Sequence, residues 1–400
     1  MHWLQLGDNG VPSLNELQLD IVGFLAILGE GSVLANAQVL TLSSWIFLPR
    51  LIPAPQALMR PTRPIKLEPV PGHICGIHSG NYRDSINHIG NIVCDASNLP
   101  EHSVRVVHIK RTSNRHLKAR TVAPLTSVLF LGFLLSCLLL GLSIWLRDGM
   151  SIVATVLLSL LSSLIGIGNK WTLKLPSRKF KDGKVPGGDV VIRYPKGSFL
   201  VVRCAEDVAR ELYFAPESIN YMLVHGPAYR LISLVGTMML MGGVICLANA
   251  QIQLQIAWAA SYMLLGSGYW VVAALPNKLH WDYSCYTVTN ECLSDSKMDM
   301  KGYPSINETF TQSLYKAIVV TKQIEWVLKS NASPETEAWK AWLLKAREVV
   351  KDVGEAKKER VEGVRTWEIP NWDAQKHFRE LLDGQAQMEN NDVSDGIEEV

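Results

Sequence analysis

An α-helical integral membrane protein is the fold class predicted by this 400-residue sequence. Three observations predict it. Only 19% of the residues are charged, against about 25% in an ordinary soluble protein. The deficit is concentrated in four runs without Asp, Glu, Lys, Arg or His: Val122–Leu146, Met150–Ile167, Leu231–Ala248 and Ile252–Leu275. Each is close to the roughly 20 helical residues needed to cross a bilayer. The runs lack period-2 alternation, so helices are expected rather than barrel strands.

The runs fall into two pairs. Arg147-Asp148-Gly149 joins the first and Asn249-Ala250-Gln251 the second. Connections that short predict two transmembrane helical hairpins of antiparallel neighbours. The other ends are basic. Arg105, Lys110, Arg111, Arg115, Lys118 and Arg120 precede the first hairpin, and Lys170, Lys174, Arg178, Lys179, Lys181 and Lys184 follow it. Arg230 and Lys278 flank the second. Basic flanks stay in the cytoplasm, so the short loops are expected on the exoplasmic or lumenal side and the C-terminus in the cytoplasm.

Upstream, Ile21–Leu48 is a longer apolar run interrupted by Glu30, Asn36 and Gln38. Acidic residues precede it, and Arg50, Arg60, Arg63 and Lys66 follow. That bias favours an N-terminal span with an exoplasmic N-terminus, the alternative being four spans plus a membrane-surface helix. A carboxylate in lipid is costly and a default functional candidate, so Glu30 is singled out. Wet placement at the outer end of an over-long run is the plainer reading.

Seven prolines between residues 49 and 71 predict an extended linker. The following His-, Asn- and Gly-rich stretch predicts a loop. It contains His73, Cys75, His78 and Cys94, all zinc-competent ligand types. Their spacing matches no CxxC or HExxH pattern, so no metal and no cofactor is expected. The seven cysteines of the chain are expected as free thiols.

Between the hairpins, Asp189–Tyr194 and Ser198–Arg203 are β-rich and separated by Pro195-Lys196-Gly197, a turn sequence. Ala205–Phe214 then reads as a helix, giving a small cytoplasmic ββα module. Beyond Leu275, a helix from Phe310 to Leu328 and a second one capped by Ser333 and Pro334 predict a C-terminal cytoplasmic αα-hairpin. In the second helix Trp339, Trp342, Leu343, Ala346 and Val350 share one face, the candidate interaction face for a protein partner. Packing within the hairpin itself is the equal alternative.

The expected organisation is an N-terminal tail (1–20), first span (21–48), Pro/His-rich linker (49–121), hairpin (122–168), ββα module (169–230), hairpin (231–275), helical region (276–383) and disordered acidic tail (384–400).

The stretches DVVIRYPKGSFLVVRCAEDVARELYFAPE, AYRLISLVGTMMLMGGVICLANA, YWVVAALP and HWDYSCY, within Asp189–Tyr286, resemble a group of multi-pass membrane proteins of filamentous fungi. The resemblance implies the same topology and supplies no activity, substrate or catalytic residue.

A net charge of +2 argues against a nucleic-acid partner. The expected partner is the lipid bilayer, with a cytoplasmic protein at the C-terminal helices and with homo-oligomers allowed. No nucleophile–base constellation is recognisable. The leading expectation is a non-enzymatic membrane adaptor or regulator. The alternatives are an oligomeric transporter or channel subunit and, third, a membrane-bound enzyme.

Overall fold

A computed structural model describes residues 30–96, 99–113, 117–175, 185–294, 304–351, 357–358 and 365–395. They form two compact units. One collects the described residues of Met1–Ile65, His116–Lys174 and Ser218–Tyr283; the other collects those of Lys66–Arg115, Leu175–Glu217 and Ser284–Val400.

The first is an apolar-helix unit. Its helices are α1 (Glu30–Leu42), α2 (Pro124–Trp145), α3 (Gly149–Asn169), α4 (Gly226–Ala248) and α5 (Ile252–Ala274). Four of them, α2 to α5, are long and apolar enough to cross a membrane, which is compatible with a membrane-associated protein. The helices start where the chain supplies a start. Proline sits in the first turn of α2 and α4, where its missing N–H leaves no bond unmade. Asp148 caps α3 through Met150 N and Ser151 N and also accepts from Gln251 N at 2.7 Å, tying the two short loops together. Hydroxyl pairs, Ser143–Ser151 at 2.7 Å and Ser136–Ser159 at 3.1 Å, join α2 to α3.

The second pair does not close on itself as a hairpin. Instead α4 packs chiefly on α3 and α5 chiefly on α2. Gly236 and Gly243 give the reason: a Cβ on either would meet Leu161 or Leu158 of α3, so the small-residue groove of α4 is filled by α3.

The expected N-terminal span is also corrected. Among the described residues only the four helices qualify. The described part of the expected span is α1, 13 residues from Glu30 to Leu42. Residues 21–29 lie outside the described residues. After Leu42 the chain leaves the α-helix, and Ser43 caps a short 3-10 turn, Ser44–Phe47.

The proline-rich segment is a packed part of this unit. Ile46, Leu51, Ile52, Ala54, Ala57 and Leu58 are buried. Arg50 N donates to Ser162 Oγ at 2.9 Å, Leu51 N donates to the Gly132 carbonyl at 3.3 Å, and Asn169 Nδ2 donates to the Leu58 carbonyl at 3.0 Å. The segment is thus inserted against α2 and α3.

The second unit overturns the expected α-helical class. The described residues are 54% helix and 18% strand, with a large mixed sheet. Its strands are β1 (Val70–Gly76), β2 (Tyr82–Ile86), β3 (Ser103–Arg111), β4 (Val190–Arg193), β5 (Phe199–Arg203), β6 (Tyr286–Leu293), β7 (Ser305–Ile306), β8 (Lys357–Lys358) and β9 (Arg365–Trp367). The order is β8-β9-β6-β3-β5-β4-β1-β2, with β7 also on β3. β3/β5 and β6/β9 are parallel and the other pairs antiparallel.

The β4–β5 hairpin forms with Val190 opposite Val202 and Arg193 opposite Phe199. Gly197 takes φ +69° in its turn, a conformation that glycine adopts without strain. No separate ββα module exists, because the outer edges of the hairpin pair with β1 and β3. Nor is there a separate αα-hairpin. Helices Phe310–Thr321, Glu325–Lys329, Glu337–Lys351 and Ala374–Asp395 share one core with the sheet. Phe199, Val201, Val104 and Val106 meet Leu314, Ile318, Trp326 and Trp342 there. Both faces of the central strands are buried, so their sequences read as near-continuous apolar runs.

Candidate functional site

Glu30, the carboxylate singled out in the first apolar run, opens α1. It is half exposed and lies 3.7 Å from the Arg60 guanidinium. The positive end of the helix and Arg60 both suit its charge. Trp342, Leu343, Ala346 and Val350 are buried in the sheet-unit core, and Trp339 packs beside them. Trp342 Nε1 donates to the Ala374 carbonyl at 2.8 Å, and the Trp339 ring lies 4.2 Å from that of Phe378. The stripe is therefore covered by the last helix of the same chain.

His73, Cys75, His78 and Cys94 are not brought together. His73 bonds the Tyr82 hydroxyl at 2.8 Å, and Cys75 is buried in the sheet core. Cys94 meets the Tyr213 hydroxyl at 3.1 Å, and burial pushes its thiol up to about 11. Among the described residues no group of three or more His, Cys, Asp or Glu side chains could hold a metal ion. Glu217 is another buried carboxyl, pushed up to about 7 by burial although His88 N and Ile89 N donate to it. It caps the short His88–Cys94 helix.

The strongest ligand geometry lies at the β1–β2 turn. Gly76 N donates to the Asn81 carbonyl and Gly80 N to the Gly76 carbonyl, at 2.8 and 2.9 Å. Gly80 closes the turn at φ +65°. The turn forms one wall of an open cleft of about 540 Å³, lined further by Lys322, Glu325, Lys329 and Arg347. Each cation has a structural reason for its position. Lys322 terminates the Phe310–Thr321 helix at φ +56°, its N–H on the Ile318 carbonyl. Lys329 lies in the last turn of Glu325–Lys329. Its ammonium reaches over Gly80, where a Cβ would come within 2.5 Å of Nζ. Arg347 extends from the Glu337–Lys351 helix and lies 3.9 Å from Glu325. Three cations thus share the cleft with one carboxylate and with Ser79, a hydroxyl donor. That arrangement suits an oxyanion.

A second cleft of about 590 Å³ lies at the start of β1, with His73, Asp84, Glu101, His102, Arg193 and Lys196 along it. Its charges are mixed in sign. His102 has a left-handed backbone, φ +48°, held by a bond from its N–H to the Lys196 carbonyl. Burial, with Arg193 nearby, pulls the His73 imidazole below its ordinary pKa.

The basic cleft gave no local signal in the sequence. Its turn and its three cations come from segments about 240 residues or more apart, and long-range pairing assembles it. No known family, curated protein or solved structure matches the chain.

Proposed function

We propose that this protein is a four-span membrane regulator whose sheet unit lies on the cytoplasmic side and binds an oxyanionic solute in the cleft at the β1–β2 turn. The observation that carries the reading is the convergence of Lys322, Lys329 and Arg347 on a turn closed by Gly80.

Two further observations support the topology. The three stretches that build the sheet unit are separated by α2–α3 and by α4–α5. Two crossings each time return the chain to the side it left. The basic flanks of those helix pairs favour the cytoplasm for that side. Cysteines introduced at Gly149 and Ala250 should then react with an impermeant maleimide only from the exoplasmic or lumenal face. Labelling from the cytosolic face alone would refute this orientation.

The cleft is tested with the full chain in detergent, inorganic phosphate serving as the probe. Phosphate should raise the unfolding temperature of the wild-type protein. Charge reversal, Lys329→Glu or Arg347→Glu, should weaken binding by about tenfold or more, the scale of one lost charge-assisted bond. Gly80→Ala should act in the same direction, since it strains the turn and displaces Lys329. Unaltered phosphate binding in both reversal variants would sink the assignment.

A further inference from the structure

The mixed-charge cleft at the start of β1 is built around a β-bulge. Pro71 stands opposite Ser85 and Ile74 opposite Arg83, so Gly72 and His73 together face Asp84 of β2. A bulge re-aims the side chains beside it and is common next to active sites. A Cβ on Gly72 would lie 2.9 Å from the Arg193 carbonyl oxygen, so the close approach of β1 to β4 needs glycine there. His73 is the register partner of Arg193, which places both side chains on one face of the sheet.

Two other segments complete the cleft. In the Pro195-Lys196-Gly197 turn the Lys196 carbonyl accepts the His102 N–H at 3.3 Å. A Cβ on Gly197 would lie 3.0 Å from the His102 ring and 3.1 Å from that of Phe310, so the turn packs directly on both. The space left beside the bulge is about 590 Å³, within the roughly 300–1,000 Å³ of small-molecule sites.

Asp84, Glu101, Arg193 and Lys196 put two negative and two positive charges on this one cleft. Among the described residues neither cation forms an ion pair with either carboxylate, and Glu101 has only the His102 imidazole, at 3.9 Å. Arg193 is held in place by a bond from Nη1 to the Asn331 carbonyl at 2.7 Å. His73 has its Nδ1 on the Tyr82 hydroxyl, and burial holds its imidazole below its ordinary pKa, so it adds no third positive charge near neutral pH. A ligand of a single sign is attracted by half of this set and repelled by the other half. A small dipolar ligand satisfies both halves. A carboxylate suits guanidinium and ammonium donors, and an ammonium suits the carboxylates and the face of an aromatic ring.

We propose that this cleft binds a free α-amino acid, its carboxylate held by Arg193 and Lys196, its ammonium by Asp84 and Glu101, with the Phe310 ring beside it. The cleft shares no lining residue with the basic cleft at the β1–β2 turn, so the outcome of the phosphate experiment does not bear on this one.

The test uses the full chain in detergent. The probes are the common α-amino acids, and the N-acetyl and carboxamide derivatives of any that bind. Unfolding temperature and titration calorimetry are the readouts. At least one amino acid should raise the unfolding temperature, and blocking either of its charges should weaken binding by about tenfold or more. Asp84, Glu101 and Lys196 are exposed, so replacing them leaves the fold intact. Lys196→Gln should weaken the parent amino acid and leave its carboxamide, which is a cation, unchanged or tighter. Asp84→Asn combined with Glu101→Gln should weaken the parent and leave the N-acetyl derivative, an anion, unchanged or tighter. No response to any amino acid would overturn the proposal, as would binding of both blocked derivatives as tightly as the parent. Equal weakening of all three ligands in the variants, the mark of a loosened fold rather than of lost charge recognition, would overturn it too.

Discussion

Trp342→Ala should destabilise the sheet unit by about 3–5 kcal/mol, the usual scale for truncating a fully buried tryptophan. Trp342 is 0% exposed in the shared core of the sheet and the C-terminal helices. Its ring lies 5.6 Å from Trp372 and 5.4 Å from Trp339. Truncation leaves a cavity between the Glu337–Lys351 and Ala374–Asp395 helices and strips the Ala374 carbonyl of its donor. A loss of this size is a large fraction of the roughly 5–15 kcal/mol of a typical domain. The expected result is a sharp rise in protease cleavage and amide exchange across 304–395, with helices α2 to α5 still retained in the membrane fraction. Trp342→Phe, which keeps much of the apolar volume, should lose less. Unchanged protection of 304–395 in Trp342→Ala would show that the core is organised elsewhere.

Gly166→Leu and Gly132→Leu should expel the inserted segment from the apolar-helix unit. A Cβ at Gly166 would lie 2.9 Å from the Ile46 carbonyl oxygen, and one at Gly132 would lie 2.8 Å from that of Leu51. Both obstacles are backbone, so no side-chain rotation relieves them. Even alanine should cost about 1–3 kcal/mol at either position, the range for overpacking a filled core, and leucine more. Gly141 is the control, because a Cβ there would meet nothing within 4 Å. Gly141→Ala should be neutral or raise helix stability by up to about 1 kcal/mol. The readout is monodisperse protein in detergent together with protease access to residues 43–59. Equal behaviour of Gly166→Ala and Gly141→Ala would refute the tight insertion.

These two sites differ in how far they could be read beforehand. The one-sided stripe around Trp342 was visible from its helical spacing, and its burial followed from having charge on the opposite face. What covers it was not visible, because the covering helix, Ala374–Asp395, has mostly polar residues. The insertion of residues 43–59 was hidden for a different reason. Proline-rich composition is typical of linkers, yet Pro53 and Pro55 are buried here. Proline has no N–H to satisfy, and that same property makes it inexpensive to bury between apolar helices.

The four long apolar helices were legible from residue order alone, since the uncharged runs within them have no alternative to burying themselves in something apolar. The β4–β5 turn was legible too, because Pro195 and Gly197 restrict the backbone locally. That β1, β3 and β6 are strands was settled by long-range pairing. Their sequences carry His, Asn, Arg and Thr among the apolar residues; partners more than 90 residues away supply most of the pairing of β3 and β6 and one of the two edges of β1. β2 then follows as the antiparallel neighbour of β1. The basic cleft and the mixed-charge cleft at the start of β1 arose at the same level. A site made of side chains from distant segments exists only once the chain has brought its backbones together.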